Sequence, residues 1–106
     1  METFVGDTVR IVLDTAMDIS GYGIMKIRYR KPNGFTGSWD AALYPGTTDS
    51  MYYETSETDL DIPGIWAVQA YIAASGFRLH GLWAEFTVFK SVLTDYTMLA
   101  GAGAFG

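Results

Sequence analysis

The 106-residue chain offers few groups for chemistry. Its single histidine, His80, falls inside a predicted strand. An imidazole acting as general base needs a carboxylate to orient it or a nucleophile within reach. No spacing in the sequence marks such a partner, so His80 is expected at a strand edge or surface. Carboxylates crowd between Asp49 and Asp61, at Asp49, Glu54, Glu57, Asp59 and Asp61. Calcium requires many oxygens to converge. The EF-hand loop pattern is absent, Asp59-Leu60-Asp61 is too little to replace it, and no metal is expected. A glycosidase needs two carboxylates set across a scissile bond, and an acidic chain supplies two carboxylates at some distance by composition alone. There is no Gly-x-Ser-x-Gly elbow, no P-loop and no dinucleotide fingerprint. Gly21-Tyr22-Gly23 follows a turn and precedes a strand rather than a helix, so it is a loop and not a phosphate cradle. Without cysteine, disulfides and thiolate metal sites are excluded. The expectation is a protein with no catalytic residues and no cofactor, hence not an enzyme.

Binding chemistry is better represented. Trp39, Trp66 and Trp83 could form an aromatic platform for sugars. Trp66 shares strand parity with Val68, Ala70 and Ile72, which points to the core. Trp39 stands beside turn residues and is the tryptophan expected to meet a partner, since Trp and Tyr bury area while keeping a polar tip. Lys26, Arg28 and Arg30 alternate and so share one strand face, next to Lys31. A solvated outer face is expected there. With net charge −5 and a pI near 4.5, the chain is a poor nucleic-acid ligand, because phosphate contact needs clustered cations.

These residues must be positioned by strands. Hydrophobic residues make up 49% and charged residues 18%, which is too apolar for disorder. Val9, Ile11 and Leu13 alternate with polar neighbours, as a half-buried strand does. In 24–30, Met25, Ile27 and Tyr29 alternate with Lys26, Arg28 and Arg30. A one-residue slip would bury three cations, so the register is set. Lys31-Pro32-Asn33-Gly34 is a turn. A strand over 37–43 and another over 51–55 follow, separated by Tyr44-Pro45-Gly46-Thr47. After a polar, acidic connection over 56–61, Pro63-Gly64 opens the longest apolar strand, 65–73. That strand is apolar on both faces except at Gln69, so it is expected at the centre of a sheet, with Gln69 in need of a hydrogen bond. Residues 78–89 form the last strand, and Gly81 within it marks a bulge or a close backbone approach.

The count is about seven strands with turns every ~8–12 residues, the pattern of an immunoglobulin-like antiparallel β-sandwich. A closed barrel remains open as an alternative. The domain is expected over 1–90. Residues 91–106 form a C-terminal arm, extended or flexible, rich in Gly and Ala and bearing Tyr96, Met98, Leu99 and Phe105. These four, with Trp39, are the candidate interface residues. No run reaches the ~20 apolar residues a bilayer span needs, and the acidic Met1-Glu2-Thr3-Phe4 start is no secretory signal. No membrane partner is expected.

Several pieces form one ordered set: Val5-Gly6-Asp7-Thr8, Leu13-Asp14-Thr15-Ala16-Met17-Asp18-Ile19-Ser20, Ile27-Arg28-Tyr29-Arg30-Lys31-Pro32-Asn33-Gly34 and Gly37-Ser38-Trp39-Asp40-Ala41. Asp59-Leu60-Asp61-Ile62-Pro63-Gly64-Ile65-Trp66 and Val68-Gln69-Ala70-Tyr71 complete it. Over roughly residues 4–90 this resembles small immunoglobulin-like proteins encoded among bacteriophage structural genes. It is similar in style to the N-terminal domain of phage baseplate upper proteins, but stops after one domain. The resemblance implies a virion component of tail, baseplate, neck or head surface, assembled in the bacterial host cytoplasm. Its partners would be other virion structural proteins and copies of itself. It implies no catalytic residues. The competing expectation is a carbohydrate-binding β-sandwich used in host-surface attachment, with a glycan stacked on Trp39 and loop tyrosines.

Overall fold

The computed structural model describes residues 2–90. They form eight strands and no helix: β1 (Thr3–Phe4), β2 (Arg10–Asp14), β3 (Ile24–Arg30), β4 (Thr36–Asp40), β5 (Ala42–Leu43), β6 (Ser50–Glu54), β7 (Gly64–Ala74) and β8 (Phe77–Phe89). Two sheets result. The larger runs β1-β8-β7-β3-β4 and the smaller β2-β6-β5, an arrangement consistent with a β-sandwich. All pairings are antiparallel except β1 on β8, where Thr3 faces Val88 and Phe4 faces Phe89 in parallel.

The alternation in β3 does what its register requires. Ile27 is fully buried and Arg28 and Arg30 are exposed. β7 lies between β3 and β8 and is the central strand of the larger sheet. Its inward residues Trp66, Val68, Ala70 and Ile72 are all buried. They pack with Ile19, Ile27, Trp39, Met51, Leu60 and Val88 into one core.

The stretch 37–43 is two strands, not one. β4 pairs with β3, then the chain changes sheets at Ala41 and β5 pairs with β6. Ala41 donates its N–H to the Met25 carbonyl at 3.0 Å, a last tie to the larger sheet before the crossing. The change of sheet lets one short segment close both layers at that edge.

An aromatic stack fills the space between the layers. The Trp39 ring lies 4.9 Å from Tyr53 at 8° and 4.5 Å from Tyr29 at 30°. Trp66 adjoins Trp39, Tyr29 and Phe86. The Trp66 indole N–H donates to the Ile62 carbonyl at 2.8 Å, so burial leaves that polar group satisfied. Two glycines allow close approach, one of them at the stack. A Cβ at Gly37 would overlap the Tyr29 phenol. One at Gly64, where φ is +128°, would stand 2.8 Å from the Pro32 ring.

Candidate functional site

The two sheets are unequal in extent, and the inequality makes the most distinctive surface of the molecule. β7 and β8 form a hairpin of 11 and 13 residues, whereas β2, at the edge of the smaller sheet, has five. β1 covers the free side of β8 only at Val88 and Phe89. Among the described residues no strand pairs with the free side of 77–87, so its outward backbone N–H and C=O groups form an open template for another strand.

A β-bulge sits in the middle of that open edge. Gln69 pairs with Trp83 but Tyr71 pairs with His80, so β8 carries one residue more than β7 across this step. Gly81 and Leu82 together oppose Ala70, and Gly81 gives the close approach. A Cβ added there would lie 3.4 Å from the Ala70 methyl group. Leu82, at the bulge, is 94% exposed.

Below the bulge a cavity of about 610 Å³ opens between the end of β2 and the inner side of β8. Leu13, Met17, Ile72, Leu79, Leu82 and Ala84 contribute to its wall. Its mouth is shaped by the turn after β2. Ala16 there has φ of 60°, a left-handed conformation that costs a non-glycine residue roughly 1–2 kcal/mol. The turn is held by Asp14, whose carboxylate accepts from the Ala16 N–H at 2.9 Å, and by the Thr15 hydroxyl, which donates to the Asp49 carbonyl at 2.7 Å. Met17 is thereby placed, half-exposed, at the groove's rim. An unpaired strand edge beside an apolar groove with a projecting leucine is what a protein partner recognises: backbone hydrogen bonds for affinity and an apolar anchor for a pocket.

The expected contact residue Trp39 is not part of this surface. It is 8% exposed and sandwiched between Tyr29 and Tyr53, so neither face of its indole is open to a partner or a sugar. Its neighbourhood of turn residues suggested exposure, but inward parity in β4 pairs it with Ile27 and seats it in the core. Tyr96, Met98, Leu99 and Phe105 lie outside the described residues. Trp66 is in the core, and Trp83 is the tryptophan with an accessible ring, 40% exposed on β8. Leu82 and Met17 went unnoticed in the sequence because single apolar residues beside turns or bulges carry no period. Gly81 was the available signal.

The carboxylates that crowd the sequence disperse in space. Glu54 pairs with Arg10 at 2.7 Å and Asp61 with Lys31 at 3.0 Å. Asp59 holds the turn before β7, accepting from the Tyr53 hydroxyl and the Ser56 N–H, each at 2.7 Å. Burial pushes the Asp59 carboxyl up. The hydrogen bonds from the Ser56 backbone, the Tyr53 phenol, the Ser56 hydroxyl and the Trp39 indole together outweigh it and hold the group below its ordinary value. Tyr53 is pushed up to about 12, first by burial and then by the Asp59 carboxylate. These groups are structural: they fasten the 56–61 connection to the aromatic stack. His80 is exposed and its ring lies 4.9 Å from that of Tyr71. Among the described residues no three acidic, histidine or cysteine side chains converge as a metal site would need.

Searches against protein-family models, curated proteins and solved structures find no match to this chain.

Proposed function

We propose that this protein is a non-enzymatic structural or assembly component of a bacteriophage particle, built on an immunoglobulin-like sandwich and working through protein–protein contacts. The observation that carries the reading is the open edge of β8 with the projecting Leu82 and the apolar groove beside it. A fully exposed leucine forgoes roughly 1.5–3 kcal/mol of burial, and an unpaired strand edge is ordinarily blunted by charge or proline. Over 77–87 the charges are Arg78 and Glu85, near the two ends, with the bulge between them, and Leu82 has no charged neighbour in sequence.

Strand order supports the immunoglobulin-like part. The smaller sheet follows the B-E-D order of such domains, and β8-β7-β3-β4 follows G-F-C-C′. β1 then stands as a short first strand laid parallel on the last. The disulfide that pins antibody domains between B and F has no counterpart, and the Trp39–Tyr53–Trp66 stack occupies the space between the layers instead. The assignment to a virion rests on the resemblance of the ordered motifs over residues 4–90. Partners are then copies of this chain and neighbouring virion proteins, with tail, baseplate, neck and head surface as the locations.

The test is the mass of the native protein over a range of concentrations, for the full chain, for Leu82→Glu and for a chain ending at Lys90. Self-association that falls at least tenfold in Leu82→Glu supports the assembly surface. A parallel loss on truncation assigns the apolar 91–106 segment to the same contact. A full-length protein that stays monomeric at high concentration, and that is absent from purified particles, overturns the reading.

A further inference from the structure

The larger sheet has an outer face, turned away from the core, that gathers the chain's cations. β3 places Lys26, Arg28 and Arg30 there, opposite Tyr71, Gln69 and Ala67 of β7, and β8 adds Arg78 opposite Ala73. Four of the chain's seven lysines and arginines therefore share one face of a protein whose net charge is −5. Two of them are engaged. Lys26 pairs with Asp40 at 2.9 Å, and Arg30 lies over the Trp83 ring, 5.0 Å from its centre. Arg28 and Arg78 make no ion pair among the described residues. With Lys26, Ser38, Tyr71 and His80 they line a shallow depression of about 290 Å³. Rings stand among the cations: the exposed His80 against the half-buried Tyr71, and Trp83 beside them.

We propose that this face binds an acidic oligosaccharide. Its carboxylates would pair with the Arg28 and Arg78 guanidinium groups, whose planar forks match carboxylate geometry. The apolar faces of its sugar rings would lie on Tyr71 with His80 and on the Trp83 ring that Arg30 holds in place. The depression reaches from β8 across β7 and β3 to β4, roughly 14 Å at ordinary strand spacing, which suits a short chain of sugars rather than a lone ion.

The same features argue against the other anions. A peptide docks by adding to a strand edge or lying in a groove, and on this face the backbone groups of β7 and β3 are already consumed by ladders on both sides. A long nucleic acid would meet the acidic remainder of the surface, since of the eleven carboxylates among the described residues only Asp40 and Glu85 share this face. That acidic remainder also orients an approaching anion toward the one basic face. This site lies on the outer face of the larger sheet; it shares His80 and Trp83 of β8 with the rim of the groove, while Lys26, Arg28 and Tyr71 lie away from it.

The full chain should be titrated by NMR with oligogalacturonate, with oligosialate and with the methyl-esterified, neutral form of each, alongside polyglutamate. We expect at least one acidic oligosaccharide to bind about tenfold or more tightly than its ester, with shifts on Tyr71, His80 and Trp83. Arg28→Gln with Arg78→Gln should weaken that binding at least tenfold, the loss expected for charge-assisted hydrogen bonds. Tyr71→Ala should weaken it for acidic and esterified sugars alike. Each variant's unfolding midpoint, unchanged, shows that the fold survives. The proposal is overturned if no acidic oligosaccharide binds, if binding survives the double variant, or if polyglutamate binds as tightly on the same residues.

Discussion

Trp66 and Leu82 lie on neighbouring strands of one sheet, and one is fully buried while the other is 94% exposed. The Trp66 end is roofed. β4 brings Trp39 and β6 brings Tyr53 across it, and the indole N–H finds the Ile62 carbonyl. The Leu82 end is not, because β8 outruns the smaller sheet and carries an extra residue at the bulge. The core is therefore closed by aromatic packing at one end, while at the other Leu82 and Met17 stand exposed beside the groove. Stability and the proposed contact surface are separated along a single hairpin, which predicts that they can be broken independently.

The largest effect should come from the roofed end. Trp66→Ala would leave a large cavity under Trp39 and Phe86 and should cost about 3–5 kcal/mol, against a total of only about 5–15 for a domain of this kind. Leu82→Lys, in dilute solution, should change stability by no more than about 0.5 kcal/mol. Urea denaturation of the two variants checks the contrast. A cost above about 1.5 kcal/mol for Leu82→Lys would mean that the chain itself covers the open edge in solution.

The pH dependence sharpens the comparison, because the titrating pair belongs to the roofed end. Asp59 sits lower folded than unfolded, so the stability it contributes is present above the ordinary carboxyl range and fades as pH falls through its lowered value. Tyr53 sits higher folded, at about 12 against an ordinary 10, so its contribution is present below pH 10 and is lost as pH rises toward 12. Unfolding midpoints measured against pH should show both limbs in the native chain. Asp59→Asn should flatten the acid limb and leave most of the alkaline one, since burial is the first cause of the Tyr53 shift. Tyr53→Phe should abolish the alkaline limb. An acid limb unchanged in Asp59→Asn would remove Asp59 from the fastening of that connection.

Much of the roofed end was legible in the sequence, and little of the open end was. Strict alternation in β3 set its register, and the parity of Trp66, Val68, Ala70 and Ile72 named the inward face of β7. The two-residue strands β1 and β5 were not legible, because two residues show no period and their pairing is decided by partners far along the chain. Ile19 and Leu60 are fully buried although each is a lone apolar residue in a polar loop. Their burial depends on where the loop is tied, Ile19 through its N–H to the Thr48 carbonyl at 2.7 Å and Leu60 through its carbonyl to the Gly6 N–H at 3.1 Å. The exposure of Leu82 depends likewise on the absence of a covering strand, which no local pattern of β8 encodes. Trp39 failed for the converse reason: turn residues beside it described the chain's path and not its side chain's direction.

A small and local effect is expected between the two ends, at Gln69. Its amide N–H donates to the Gly81 carbonyl at 2.9 Å, tying the centre of β7 to the bulge. Its Oε1 is buried without a partner among the described residues. The side chain thus gains one hydrogen bond, worth about 1 kcal/mol net, and carries one desolvated acceptor, which costs a similar amount. Gln69→Leu removes both and adds apolar contact beside Trp83, so it should shift stability by less than about 1 kcal/mol, in either direction. Its consequence should be local. The Gly81 carbonyl loses its donor, so amide exchange at Gly81, Leu82 and Trp83 should quicken while exchange around Trp66 stays as slow as before. If exchange quickens along all of β7, Gln69 is a tie on which the whole hairpin depends, and the two ends are coupled rather than independent.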